Sequence, residues 1–416
     1  VTATADGQTH GTVAGRCPVR KLAQPDDALA PPLERVDGPE PAWRIRSFEL
    51  ARTVLRHADA TRQAGFNAEG FDRDGGSSIR PPILYLEGDA HHAQRRAAAR
   101  FFAPRTVEGY RPWMQETADG LVATVRADTW TDVAPLGMRM AVQVAARVIG
   151  LDRSSSRGMH RRLDTFFEPD TSVARTPLAR WRALRRSTAM LRFFLLDVQP
   201  AIRSRRRRRR DDLISRLLDD GFSDLDILTE CVTYAAAGMV TTRELMTVAV
   251  WHLLDDDALL ARYRAADREG RVAVLDEVLR LEPVIGHLLR RTTAPLRLEG
   301  PGGPVELPAG ALVDIDVRAV NADAGTVGDD PLALRPARPL PRTVPPALLS
   351  FGDGHHKCPG APLALVESEI FVSALVRHDL AASGPPRVRW NDVSQGYDLA
   401  ALRVRRVSGP VAPSGR

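Results

Sequence analysis

Cysteine is scarce in this chain of 416 residues: Cys17, Cys231 and Cys358 stand far apart, and none belongs to a Cys-x-x-Cys pair. That excludes a disulfide framework of the kind that staples small secreted domains, and it fits a reducing cytoplasm. It also leaves a zinc reading of His355, His356 and Cys358 short of a fourth ligand and of the second Cys/His cluster such sites usually have. No apolar run comes near the ~18 residues of a membrane span, and Val1–Arg16 is small and polar, without the apolar core of a signal peptide. Lysine is rarer still, with Lys21 and Lys357 the only two among 58 basic residues. Against 52 acidic residues the net charge is +6, modest for this length. The densest basic run, Arg203 with Arg205–Arg210, has no interleaved aromatics and no nucleic-acid motif, so it reads as a solvated helix end or loop.

What is present is a globular composition, 44% hydrophobic and 26% charged, without internal repeats. Residues 1–25 read as a loose tail and 26–416 as a single domain. Trp43–Leu55 reads as a short strand and then a helix, with Ser47 as its cap and Glu49 in its first turn. Gly65–Gly88 is a Gly-, Pro- and Asp-rich loop with Phe66, Phe71, Ile83 and Leu84 embedded in it, and loops of that length are usually functional. Helical periodicity dominates from His91 to Leu281, broken near Pro104, Pro169, Pro177 and Pro200. Between Leu296 and Val317 apolar residues alternate between Gly and Pro turns, the strand signature, and a Pro-rich coil follows from Asn321 to Pro346. This order predicts a mainly α fold with minor β sheets near both ends.

The most informative stretch is Phe351-Gly-Asp-Gly-His-His-Lys-Cys358-Pro-Gly360. Gly352 and Gly354 permit backbone angles that let the loop fold tightly around the sulfur. From Ala361 a helix is predicted, whose unpaired amides and positive dipole end lie close to Cys358. Such surroundings bias a thiol toward thiolate. A buried structural cysteine in a Gly-rich turn is the plain alternative. The pattern F-G-x-G-x-H-x-C-x-G is matched at every fixed position and resembles the haem-ligand loop of the cytochrome P450 family. The resemblance implies haem b with Cys358 as the thiolate ligand of its iron, in a loop shaped by Phe351, Gly352 and Gly360. It also implies the P450 fold, with haem between a long oxygen-binding helix and the cysteine-loop helix.

Further constellations take their meaning from that resemblance. Glu277-Val-Leu-Arg280 places both charges on one helix face and is similar to the family's E-x-x-R motif; with Arg338 it implies a structural ion-pair triad behind the haem loop. His91 and Arg95, one helical turn apart, make a small anion clamp. They are similar to the family's H-x-x-x-R helix, which implies that they hold the haem propionates together with Arg290 and His356. His92 and Arg96 share that spacing, but the distance to Phe102 and Pro104 favours the first pair.

Ala236-Ala-Gly238-Met-Val240-Thr-Thr242 lies in a long apolar helix from Leu225 to Leu254, where Gly and two β-branched Thr are unfavourable. Either a close helix crossing accounts for them, or a local kink that opens a groove and frees Thr241. The run is similar to the family's A-G-x-(D/E)-T-T, which implies that Ala237 and Gly238 make room for oxygen and that Thr241, next to Thr242, bonds it. Val240 stands where the family has an acid. Protons must then come from elsewhere, such as Glu244 one turn on through a water chain, or the substrate itself.

For the substrate pocket the resemblance implies walls from Ile83, Leu84, Met239, the helix pair around Phe166–Phe194, and Val284, Ile285, Leu288 and Tyr397. Each of these is equally a core candidate. His287, polar among apolar neighbours, is the one suited to bond a substrate heteroatom. The arginine bias looks like the coding of a GC-rich bacterium. The implied enzyme is cytoplasmic and monomeric, binds neither nucleic acid nor membrane, and oxidises a small organic substrate of specialised metabolism with two electrons from a ferredoxin or flavodoxin and its reductase. Arg95, Arg96, Arg100 and Lys357 would form a basic surface steering an acidic donor. Val240 keeps open oxidative coupling or peroxide-driven oxidation in place of hydroxylation. A non-catalytic haem-binding sensor is the remaining reading.

Overall fold

The apolar run after Ser223 forms one unbroken helix of 32 residues, Asp224–Asp255. It starts at a capping box, where the Ser223 hydroxyl accepts from the Asp226 amide and the Asp226 carboxylate accepts from the Ser223 amide. Val248, Ala249, Val250, Trp251 and Leu253 are all buried, so its C-terminal half is covered on every face, as befits a helix inside a bundle. Helices Val133–Ile149, Arg268–Leu281 and Ala361–Val376 pack directly on it, and Pro104–Val122 packs on the first and last of these. The computed structural model describes residues 30–407, apart from 39, 66–79, 152–157, 160–161, 163–184, 186–187, 301–302 and 392–393. The expected tail with Cys17, the loop residues Phe66 and Phe71, and Phe166 lie outside the described residues. Among the described residues, no helix is long and apolar enough to cross a membrane.

The strands are β1 (Leu33–Val36), β2 (Ala42–Ile45), β3 (Thr61–Gln63), β4 (Thr131–Asp132), β5 (His287–Thr292), β6 (Leu296–Gly300), β7 (Gly303–Leu307), β8 (Leu312–Asp316), β9 (Leu380–Ala382), β10 (Arg387–Asn391), β11 (Gly396–Ala400) and β12 (Arg403–Arg406). Five of them form one sheet in the order β1-β2-β8-β5-β3, parallel only between β2 and β8. The others make the hairpins β6–β7 and β10–β11 and a small β4-β12-β9 sheet. A second core lies between the large sheet and helix Phe48–Arg56, joining Phe48, Val54 and Leu55 to Val313 and Ile315.

Two local expectations change. Ser47 precedes that helix but makes no side-chain cap; Asp323 accepts from the Phe48 amide instead, at 2.9 Å, so the cap comes from 275 residues away. The arginine run ends helix Gln199–Arg207, but Arg205 is buried and bonded to Asp212 at 2.7 Å, while its neighbours Arg206–Arg210 are exposed. The helix that carries Glu277 and Arg280 runs Arg268–Leu281, and Asp267 caps its start by accepting from the Gly270 amide.

Candidate active site

The cysteine loop follows from its glycines and from one aspartate. Gly352 and Gly354 both sit at φ +68°, and a Cβ on Gly354 would collide with the Leu55 carbonyl. Asp353 accepts from the Gly354 amide at 2.7 Å and from Arg52 and Arg56 at 3.1 and 3.0 Å, which ties the loop to helix Phe48–Arg56. The Cys358 amide returns to the Phe351 carbonyl at 2.8 Å. Cys358 is an exposed residue, and its thiol receives the Gly360 and Ala361 amides from the start of helix Ala361–Val376. The expected bias toward thiolate is not the net result in the free protein. The mass of protein around the sulfur pushes its pKa up, against the pull of those amides and of Arg95 and Lys357.

His91 is buried, its ring 4.3 Å from that of His356 and edge-on to His355. Burial first, then the charges of His356 and Arg95, push its pKa down to about 3. Arg95 is half-buried and donates to the Lys357 carbonyl at 2.5 Å, next to the cysteine. Arg290, on β5, is buried and bonded to Gln63 and the Leu289 carbonyl; burial lowers its pKa to about 10. Nothing in the sequence marked Glu87. Its Oε2 accepts from Nε2 of both His355 and His356 at 3.1 Å, and its Oε1 from the Gln63 amide at 2.8 Å. Burial pushes this carboxyl up, but the three hydrogen bonds together hold it far below the usual range. His355 and His356 thus group with Glu87, and Cys358 stands outside that group.

Behind the loop, Glu277 holds Arg280 through two bonds of 2.7 and 2.8 Å and Arg338 at 3.4 Å. All three are buried, and the two guanidinium groups take up carbonyls of the 321–333 segment, where the expected coil contains the short helix Ala324–Val327.

The central helix runs unbroken through this stretch, and the Thr241 hydroxyl is not free as a donor: it donates to the Ala237 carbonyl at 2.5 Å. This back-bond satisfies a mid-helix Thr without breaking the helix. Ala237 is nonetheless exposed in mid-helix, and a Cβ built on Gly238 meets nothing within 4 Å, so this stretch opens onto space. Val240 is half-buried. Glu244 has both oxygens engaged, one by Arg243 and the other by the Leu399 amide of β11 at 2.9 Å, so it serves β11 and is not a free relay acid. Burial raises its pKa to about 7. Thr242 is buried and faces the cysteine-loop helix, where it hydrogen-bonds Glu367. Glu367 was missed in the sequence. It is fully buried, its Oε2 has no partner, and burial lifts its pKa well above the usual carboxylate value. An acid inside the apolar run Leu363–Phe371 was the available signal.

The expected pocket residues divide. Ile83 forms a turn with Leu84 and Tyr85 and is buried, Leu84 and Ile285 are half-buried, and Leu288 lies beside Gly352. Met239 instead points into the main helical core, and Val284 packs on Leu245, Leu279 and Ala347. His287 bonds Asp314 through Nδ1 at 2.7 Å across β5 and β8, which fixes the ring and leaves Nε2 as its other polar atom, and Asp314 also holds Arg44. Tyr397 lies under the Arg318 guanidinium and edge-on to Trp390.

Haem would need an open sulfur, an open helix face and polar groups with unused hydrogen-bonding atoms for its propionates. Cys358 is open, Ala237 is exposed, and His91 Nδ1 and Arg290 Nε are buried without partners. The residues present fit that group.

A family model for Cytochrome P450 matches residues 272–378. Cyclomarin C epoxidase CymV of Salinispora arenicola is 30% identical over 344 residues, 78% of this chain and 82% of that protein. Cytochrome P450(MEG) of Priestia megaterium is 28% identical over 346 residues, covering 80% and 81%. The fold is similar to that of CYP109E1 from Bacillus megaterium in complex with corticosterone, with a TM-score of 0.76 at 20% identity over 92% of this chain and 96% of that one.

Proposed function

Because the chain belongs to the cytochrome P450 family, haem b oxidoreductases of the monooxygenase type, we propose that it oxidises a small specialised metabolite using dioxygen and electrons from a ferredoxin-type donor. The likeness to an epoxidase of cyclomarin C supports oxygen transfer to such a substrate. Haem bound here would supply the reductive activation of dioxygen, with a thiolate ligand favouring O–O cleavage.

The chain's own residues then divide the work. Cys358 holds the iron, and the Gly360 and Ala361 amides stabilise its thiolate. His91, Arg95, Arg290 and His356 hold the propionates, and Glu87 orients His356 by accepting from its Nε2. Ala237 and Gly238 leave space beside the central helix. Thr241 can offer its hydroxyl only by giving up the bond to the Ala237 carbonyl. Val240 cannot hold a proton, and Glu244 is engaged with β11. Glu367 can, at Oε2, with Thr242 bonding its carboxyl and burial raising its pKa well above the ordinary carboxylate value. Exposed Arg96, Arg100 and Lys357, with Arg95, give the donor a basic face.

The observation that carries this reading is the open Cys358 thiol, held by two amides in a fully matched loop beside unpartnered clamp atoms. Spectra of the reduced, carbon monoxide-treated protein test it: the thiolate-haem band is expected in the wild type and absent in Cys358→Ser. Val240 favours a second reading, oxidative coupling or peroxide-driven oxidation. Labelled oxygen from O2 in the product sinks pure coupling, and product formed with peroxide but not with ferredoxin and NADPH sinks the donor.

A further inference from the structure

Residues 80–87 form a strap between the central helix and the cysteine loop. At one end the Arg80 amide donates to Asp226 at 2.8 Å, with the Arg80 guanidinium over the Phe222 ring. At the other end Glu87 holds Gln63, His355 and His356. Between them, the Ile83 amide donates to Glu230 Oε1 at 2.9 Å, and the same oxygen accepts from Gln94 Nε2 at 2.7 Å. Glu230 therefore joins the central helix to two consecutive elements 136–147 residues upstream, the strap and helix Gly88–Phe102. It is 1% exposed, and its second oxygen is buried without a partner. A carboxylate placed there at the cost of desolvation, with half its acceptors unused, is poor design for stability alone. Its bonds go to the one stretch that brings Ile83 and Leu84 to the expected pocket wall.

We propose that Glu230 is a positioning residue for substrate recognition: it latches the Ile83 turn to the central helix and so sets how tightly bulky ligands are held. The inference rests on the haem-site reading. Asp226 is the weaker test position, because it also caps the central helix.

The experiment titrates ferric holoenzyme with imidazole and with 4-phenylimidazole, followed by the Soret shift, and measures hydrogen exchange at the Ile83 amide. In Glu230→Ala, phenylimidazole is expected to weaken by about tenfold while imidazole stays within about twofold, because only the larger ligand needs the wall. The Ile83 amide should lose protection while the 95–101 amides keep theirs. Glu230→Gln, whose amide oxygen still accepts both bonds, should restore wild-type binding and protection. Equal weakening of both ligands, unchanged phenylimidazole affinity, or an Ile83 amide still protected in Glu230→Ala would each overturn the latch. No imidazole shift in the wild type would overturn the haem reading itself, while the exchange data would still report the latch.

Discussion

Around Cys358 the loop is bound by charged bonds to distant parts of the chain: Asp353 to Arg52 and Arg56, His355 and His356 to Glu87, and Glu277 behind them to Arg280 and Arg338. Across from it, the central helix around Thr241 offers few groups to the open side. Thr241 bonds its own backbone, Val240 offers no polar atom, Glu244 is drawn to β11, and the acid with an unused oxygen, Glu367, belongs to the neighbouring helix. The cysteine side is thus held redundantly, so single losses there should act on ligand retention and stability. The helix side has few groups able to hold a proton, so single losses there should act on turnover.

The sharpest break of that contrast is Cys358→Ser, expected to abolish both the thiolate-haem spectrum and turnover; surviving turnover would show that the redundancy does not converge on sulfur. Next is Glu277→Gln, which leaves Arg280 buried with a neutral partner and should cost about 3–5 kcal/mol in urea unfolding. A loss below ~1 kcal/mol would mean that the coil carbonyls alone satisfy Arg280. Where the two sides meet, Glu367→Gln should slow turnover by ~100-fold with haem content unchanged, and raise the solvent deuterium effect. Unaltered turnover would remove Glu367 from the proton supply.

The smallest expected effect concerns Glu244. Its folded pKa, about 7, lies above its ordinary value, so its contribution to stability is complete below about pH 4.5 and is lost as pH rises through 7. Between pH 5.5 and 8 that amounts to about 2 kcal/mol, and Glu244→Gln should flatten the pH dependence of thermal unfolding by that amount. Identical pH profiles would show that Arg243 keeps the carboxyl ionised throughout.

Contiguity decides what could be read from the sequence. The cysteine loop, the Glu277–Arg280 pair and the His91–Arg95 clamp are local patterns, so their chemistry and spacing were visible, and so was the valine in place of an acid. Glu87, Gln63 and Asp323 act only through partners more than 200 residues away or on other elements, and no periodicity announces such a meeting. The surroundings of His287 and Met239 were hidden for a related reason. A polar residue beside apolar ones gives no sign that β8 brings Asp314 against it, and one helical position decides between an open face and the core. Thr241 misled because a hydroxyl in mid-helix has its own backbone carbonyl within reach, a choice that residue type alone leaves open.

The bracket formed by Arg52, Arg56 and Asp353 also bears on how the protein is made. Its halves lie 297 and 301 residues apart, and a ribosome adding about 5–20 residues per second leaves roughly 15–60 s between their synthesis. Through that interval helix Phe48–Arg56 has neither its aspartate nor the Gly354 turn that seats against Leu55. Closure of the cysteine loop therefore waits on about 300 residues of synthesis after that helix has been made.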